Sequence, residues 1–223
     1  MKVLLLNGSP RKNWNTHKLL MEAERGAQEM GAETKLVHLF DLENATDCKS
    51  CFACKLKGSK TNGVCALRDD LRPVLEYAWD SDAIIIGSPI YYGNLTAPVL
   101  AFKNRCLFPV MSYENDPNTG KFVSELNKLK KVGLIVTGNA SEEALLHGAY
   151  GQKFKAEAEQ MGWVIGSGET MFSCETYQFA DYSKYRASMF DEKYRAERRE
   201  KQFPIDLQKA YDMGRRFARG RAE

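Results

Sequence analysis

Three short apolar runs without alternation, at 3–6 (VLLL), 83–86 (AIII) and 132–136 (VGLIV), set the frame for this chain. A strand with one wet face alternates apolar and polar residues, whereas a run that stays apolar is buried on both faces. Each run leads into a turn and then into residues with helical periodicity. KVLLLNG is the first strand. THKLLMEAERGAQEMG is a helix with Leu19, Leu20, Ala23 and Ala27 on one face and Gly31 as its stop. ETKLVHLF is the second strand. DDLRPVLEYAWD is a helix whose Pro73 comes early enough to be tolerated. DAIIIGS is the third strand, TAPVLAFKNRC a helix, KKVGLIVTG the fourth strand, SEEALLHGAYGQKFKAEAEQMG one helix and WVIGSGETMF the fifth strand. Two long connections interrupt the pattern. One, at 41–68, holds four cysteines; the other, at 107–130, is rich in turn residues and has the length of a lid. A final helix, IDLQKAYDMGRRFARG, is expected to stop at Gly220.

Strands that alternate with helices predict an α/β fold: a doubly wound, five-stranded parallel sheet in the order 2-1-3-4-5, helices on both faces. The expected division is 1–175 for this domain and 176–223 for a C-terminal helical extension packed on the body or on a partner subunit. With 32 Lys and Arg against 29 Asp and Glu, the charge is too balanced to argue for nucleic acid. The surplus is local, twelve cations against eight anions at 181–223, which suits a solvated arm, a hold on a nicotinamide phosphate, or an acidic redox partner. No stretch has the length of a membrane span or a signal-peptide core, so the cytoplasm is the expected location. There the six cysteines are expected as thiols or metal ligands rather than disulfides.

In a doubly wound sheet ligands bind outside the carboxyl ends of the strands, where the strand order reverses, here between strands one and three. The loops at that point have unusual compositions. NGSPRKNWNT leaves the first strand at Gly8 and enters a helix near Thr16. A helix start favours an anion. Ser9, Asn15 and Thr16 add short donors, and Arg11 adds a guanidinium that grips phosphate oxygens in pairs. The loop lacks both the dinucleotide fingerprint and the P-loop pattern. The plainer alternative is an ordinary helix start capped by Asn15 or Thr16, with Arg11 at the surface. The second loop, GSPIYYGN, places Pro89, Tyr91 and Tyr92 beside Gly93 and Asn94. Tyrosines line flat ligands, glycine admits a close backbone, and asparagine offers both donor and acceptor. Alone, the tyrosines are better read as core or interface aromatics. Together the two loops call for a planar ligand carrying one phosphate, which FMN is. Thr137, Gly138 and Asn139 would lie next door and close over the ring.

The segments NGSPRKNWNT, C-x2-C-x2-C with GVCALRDD, and DAIIIGSPIYYGNLTAPVLAFKNR, with the weaker DLQKAYDMGRRFA, resemble the NADPH-dependent FMN reductase family of flavodoxin-like proteins, and most of all its iron–sulfur flavoprotein branch. The resemblance implies FMN, a homodimer or tetramer, and electrons from NAD(P)H. It places the phosphate on Ser9, Arg11, Asn15 and Thr16, and the ring against Pro89, Ile90, Tyr91, Tyr92, Gly93 and Asn94, with 137–139 nearby. Trp14 departs from the family, which often has glycine there; its ring either covers the phosphate or obstructs it.

Cys48, Cys51 and Cys54 are followed by Cys65 after ten residues, a longer and more basic gap than iron–sulfur flavoproteins usually have. A [4Fe–4S] cluster, a zinc ion and free thiols are the three options, and Cys106 and Cys174 are expected to be buried or idle. The leading expectation is an FMN-dependent NAD(P)H oxidoreductase passing electrons to a quinone, a nitro- or azo-aromatic, free flavin or a redox protein. One rival is an iron–sulfur flavoprotein-type carrier fed by ferredoxin; another is a flavin-free nucleotide-binding module. No catalytic side chain is named, because the flavin carries the chemistry; His17, His38 and His147 are scattered.

Overall fold

A computed structural model describes residues 1–58, 63–120, 122–124, 126 and 130–219. In chain order these hold β1 (Lys2–Asn7), α1 (Asn15–Glu29), β2 (Glu33–His38), α2 (Arg72–Asp80), β3 (Ala83–Pro89), α3 (Ala97–Leu107), β4 (Met111–Asn115), β5 (Phe122–Ser124), β6 (Lys130–Thr137), α4 (Glu142–Leu146), α5 (Ala149–Ile165), β7 (Gly166–Ser173), α6 (Glu192–Lys201) and α7 (Phe203–Ala218). The main sheet runs β2-β1-β3-β6-β7, every pair parallel. Numbered among themselves, its five strands stand in the expected order 2-1-3-4-5.

The unalternating runs do what their composition demands. Leu4 and Leu6 of β1 and Ile84 and Ile86 of β3 enter a core with α2, α3 and α5, through Leu75, Phe102, Phe154 and Met161. Val3, Leu5, Ala83 and Ile85 enter a second core on the opposite face, with Leu19, Leu20 and Ala23 of α1 and Met213 and Phe217 of α7. Each large side chain so buried contributes about 1.5–3 kcal/mol, and both faces must be covered before the sheet is stable.

Helix α7 reaches the sheet only by lying almost against α1. A Cβ at Gly214 would stand 1.8 Å from the carbonyl oxygen of Ala23, and one at Gly26 would stand 2.2 Å from that of Tyr211. Neither obstacle is a flexible side chain. Gly214→Val is therefore expected to push the helices apart and cost about 1–3 kcal/mol or somewhat more, seen as a lower urea midpoint. An unchanged midpoint would mean that this crossing is soft.

The structure corrects several expected elements. The helix expected over 141–162 is two, α4 and α5, broken at His147 and Gly148. Gly148 is extended rather than helical, with ψ 179°, and the chain restarts so close to α4 that a Cβ at Gly151 would lie 2.2 Å from the carbonyl oxygen of Leu145. The last sheet strand starts at Gly166, not Trp163, because α5 continues to Ile165. The connection at 107–130 carries a two-stranded antiparallel ribbon, β4 with β5. Helix α6 precedes α7, which begins at Phe203 rather than Ile205. The stop expected at Gly220 lies outside the described residues, as do 59–62 of the cysteine loop. No helix among the described residues is long and apolar enough to cross a membrane.

Candidate functional site

The two loops at the switch point meet. β1 ends at buried Asn7, whose side-chain oxygen accepts the Ser9 N–H at 2.9 Å, bending the chain away from the sheet. Gly8 N–H donates to Gly87 O of β3 at 2.8 Å, and Thr96 Oγ1 donates to Gly8 O at 2.8 Å. Helix α1 then starts without a cap. Trp14 at its N-cap offers no side-chain acceptor, and its first turn holds no acidic residue. The leading N–H groups of such a helix have no intrahelical partner and favour an anion. Ser9, Asn15 and Thr16 are buried there. Of the plainer alternative, the cap by Asn15 or Thr16 does not form, while Arg11 is exposed as that reading had it.

A cleft of about 230 Å³ opens beside this helix start. Ser9, Arg11, Asn15 and Thr16 line one side, Pro89, Ile90 and Tyr91 a second, and Thr137, Gly138 and Asn139 a third. Thr16 and Thr137 share a hydrogen bond at 2.7 Å, and Ile90 N–H donates to Thr137 O at 2.9 Å, so the three loops form one rim. Tyr92, Gly93 and Asn94 are not in the lining. Tyr91 and Asn94 exchange backbone hydrogen bonds at 2.9 and 3.0 Å around Tyr92 (φ 48°) and Gly93 (φ 76°), a tight turn with both central residues left-handed. That turn points Tyr92 fully into solvent, while Lys153 donates to Gly93 O at 2.8 Å and to Asn94 Oδ1.

A fourth wall comes from the segment after β7, which sequence reasoning did not assign to the site. Thr176 and Gln178 line the cleft. Arg11 donates to Gln178 O at 2.7 Å, and Asn15 Nδ2 and Trp14 Nε1 donate to Tyr177 O at 3.0 and 3.1 Å. Only the aromatic composition of that stretch hinted at this. Trp14 is part of the wall rather than a plug: the Arg11 guanidinium lies 4.1 Å over its ring centre, and the cleft remains open beside both. Burial disfavours the charge on Arg11 and lowers its pKa. Asn139 donates to Gln178 Oε1 at 2.8 Å, while its own Oδ1 is buried without a protein partner. An acceptor so placed calls for a donor on a ligand. The anion-seeking helix start, the short buried donors and this orphaned acceptor fit a phosphorylated, hydrogen-bonding planar group.

Cys51 and Cys65 lie near enough to Cys54 to act on its pKa, but the cysteines do not converge on one point. Cys48 and Cys51 are exposed and Cys54 and Cys65 buried, and among the described residues no three Cys, His, Asp or Glu side chains are placed to share a metal. Cys65 is engaged otherwise, its sulfur accepting the Nε–H of buried Arg105 at 3.3 Å. Cys106 and Cys174 are buried as expected, and burial pushes both thiols up to about 12. His17 and His38, read as scattered, are neighbours with ring centres 5.0 Å apart, and burial together with His38 lowers the pKa of His17. Neither lines the cleft. A larger groove of about 440 Å³, between Phe52, Phe108, Tyr113 and Trp163, lies elsewhere; its cation, Lys103, is paired with Glu157 at 2.5 Å.

The sequence model of NADPH-dependent FMN reductases matches residues 1–175. The chain belongs to that family. FMN and NAD(P)H are thus its family's cofactor and co-substrate, and this FMN reductase family member shares sequence with proteins named iron-sulfur flavoprotein. One from Archaeoglobus fulgidus is 43% identical over 99 residues, 44% of this chain and 45% of its own length. Another from the same organism is 28% identical over 206 residues, 86% of each chain. One from Methanocaldococcus jannaschii is 36% identical over 105 residues, 47% of this chain. The first and third matches span about half the length of those relatives. Solved structures share the flavodoxin-like fold. A NAD(P)H:quinone oxidoreductase from Methanothermobacter marburgensis superposes with a TM-score of 0.69 at 13% identity, covering 99% of this chain and 98% of its own. An FMN-dependent NADH-azoreductase from Bacillus anthracis, in complex with FMN, gives 0.64 at 12%, covering 98% and 100%.

Proposed function

We propose that this protein is an FMN-dependent NAD(P)H oxidoreductase whose FMN sits in the cleft at the switch point. The observation that carries this reading is the meeting of an uncapped helix start, three buried short donors and Arg11 in one cleft. Bound FMN supplies the redox chemistry, taking electrons from a nicotinamide and passing them to an acceptor.

The chain's own residues bind and orient. The start of α1 with Ser9, Arg11, Asn15 and Thr16 holds the phosphate. Pro89, Ile90 and Tyr91 flank the ring, with 137–139 opposite, and Asn139 Oδ1 takes a ring donor. Tyr92, Gly93 and Asn94 stand at the mouth, where they would meet a co-substrate or a second subunit. The acceptor is a quinone, an azo- or nitro-aromatic, free flavin or a redox protein, in a cytoplasmic homodimer or tetramer. The names of the structural neighbours favour the quinone and azo classes.

The test is steady-state NADPH and NADH oxidation by FMN-loaded protein with a quinone acceptor. Turnover well above that of an equal concentration of free FMN is expected. A rate no higher than free FMN would leave the second reading, an iron–sulfur flavoprotein-type electron carrier. The relatives' names support that reading.

A further inference from the structure

Helix α6 carries Arg195, Arg198 and Arg199, none of which lines the cleft, and one differs from the other two. Arg195 and Arg198 face carboxylates: Glu175 at 3.2 and 3.6 Å, and for Arg198 also Glu142 at 3.2 Å. Arg199 has no carboxylate partner among the described residues. Its Nη1 donates to Asn15 Oδ1 at 2.6 Å, and its guanidinium lies 4.1 Å over the ring centre of Phe203. Burial lowers its pKa, with no acidic group offsetting the cost.

Glu175 and Asp206 line the same small pocket as Arg199 but bond other groups, Glu175 to Arg195 and Arg198, and Asp206 to Ser173 and Gln202. Asn15 is the first residue of α1, at the uncapped positive end of that helix, and Arg11 stands in the same loop. A half-buried cation beside a helix start is unfavourable in an empty protein. The arrangement becomes favourable when an anion joins it. Asn15 also transmits the charge geometrically. Its oxygen is taken by Arg199, so its amide nitrogen must face the other way, with one N–H on Tyr177 O and the second left over.

We propose that Arg199 is a positioning residue that makes the cleft select a phosphorylated flavin over an unphosphorylated one. It orients Asn15 and adds a full positive charge behind the phosphate, from a helix nearly two hundred residues away in sequence. The inference rests on the FMN reading above.

The test is fluorescence titration of FMN and of riboflavin on wild type, Arg199→Gln and Arg199→Met, with the melting temperature of each recorded. Gln keeps a donor for Asn15, and Met keeps an apolar stem over Phe203; whichever variant is folded carries the test. The expected result is FMN affinity lowered about tenfold, the scale of one charge-assisted interaction, with riboflavin affinity unchanged. Arg199→Lys restores most of the preference for FMN. An equal loss for both flavins would make Arg199 a structural strut and overturn the proposal, as would no loss for either. A wild-type protein that binds neither flavin would overturn the FMN reading itself.

Discussion

Replacing Arg105 by methionine is expected to cost about 3–5 kcal/mol of folding stability, the scale for breaking one side of a buried ion pair. Arg105 is 1% exposed and makes a two-pronged bond to Asp69 at 2.6 and 2.9 Å. It also donates to Thr46 O at 2.8 Å and to the sulfur of Cys65. One side chain on α3 thus holds both ends of the cysteine loop. Removing it leaves a carboxylate and a carbonyl short of donors. Urea unfolding reads the loss directly, and faster alkylation of Cys65 would report the released loop. A loss under about 1 kcal/mol, the scale of a surface pair, would show that the loop is held by its apolar contacts instead. The effect depends on pH in a defined direction. Burial opposes the charge on Asp69, but the hydrogen bonds and charge of Arg105, with backbone N–H groups, outweigh it and hold the carboxyl below the usual range. Stability from such a group is present above its unfolded pKa and is lost as pH falls through the folded one. The gap between wild type and Arg105→Met should therefore be wide at neutral pH and shrink in acid.

Arg11→Ala is expected to weaken FMN binding by about 1.5–3 kcal/mol, the range for a hydrogen bond to a charged group. That is roughly a tenfold to hundredfold rise in Kd. The substitution also removes the bond to Gln178 O at 2.7 Å, so part of the loss would come from loosening the fourth wall. Arg11→Lys separates the two: it keeps a charge but not the fork that stacks on Trp14. Unchanged FMN affinity in Arg11→Ala would remove this residue from the phosphate site and leave the uncapped start of α1 to hold the anion alone.

The sheet was legible because its signal is local. An unbroken run such as Ile84–Ile85–Ile86 has few homes other than the middle of a parallel sheet, and strand order then fixes where ligands sit. That Ser9, Arg11, Asn15 and Thr16 would share one cleft wall was legible for the same reason, since they follow closely on the strand that positions them. What escaped was what distant segments decide. Helix α6, EKYRAERREK, has no apolar stripe, and its one buried residue is Arg195. It is held by a side-chain cap from Asp191 and by ion pairs to Glu175 and Glu142, partners that no periodicity announces. Thr176 and Gln178 reach the cleft because Tyr177 O and Gln178 O accept bonds from residues more than 160 positions earlier. The turn at Tyr92 and Gly93 has familiar turn chemistry, but its direction is set by Lys153 of α5, so the loop composition gave no warning that Tyr92 would leave the cleft.

The fourth wall has a consequence for how the molecule is made. Residues 1–173 contain the whole parallel sheet and three sides of the cleft, yet the bonds that seat Arg11, Trp14 and Asn15 come from 177, 178 and 199. During synthesis both the anion grip and one face of the sheet wait for the C-terminal segment, since α6 seats the start of α1 and α7 carries Met213 and Phe217 into the core on that face. Cofactor capture then comes after the last two helices have docked, and flavin supplied late should load as fully as flavin present throughout.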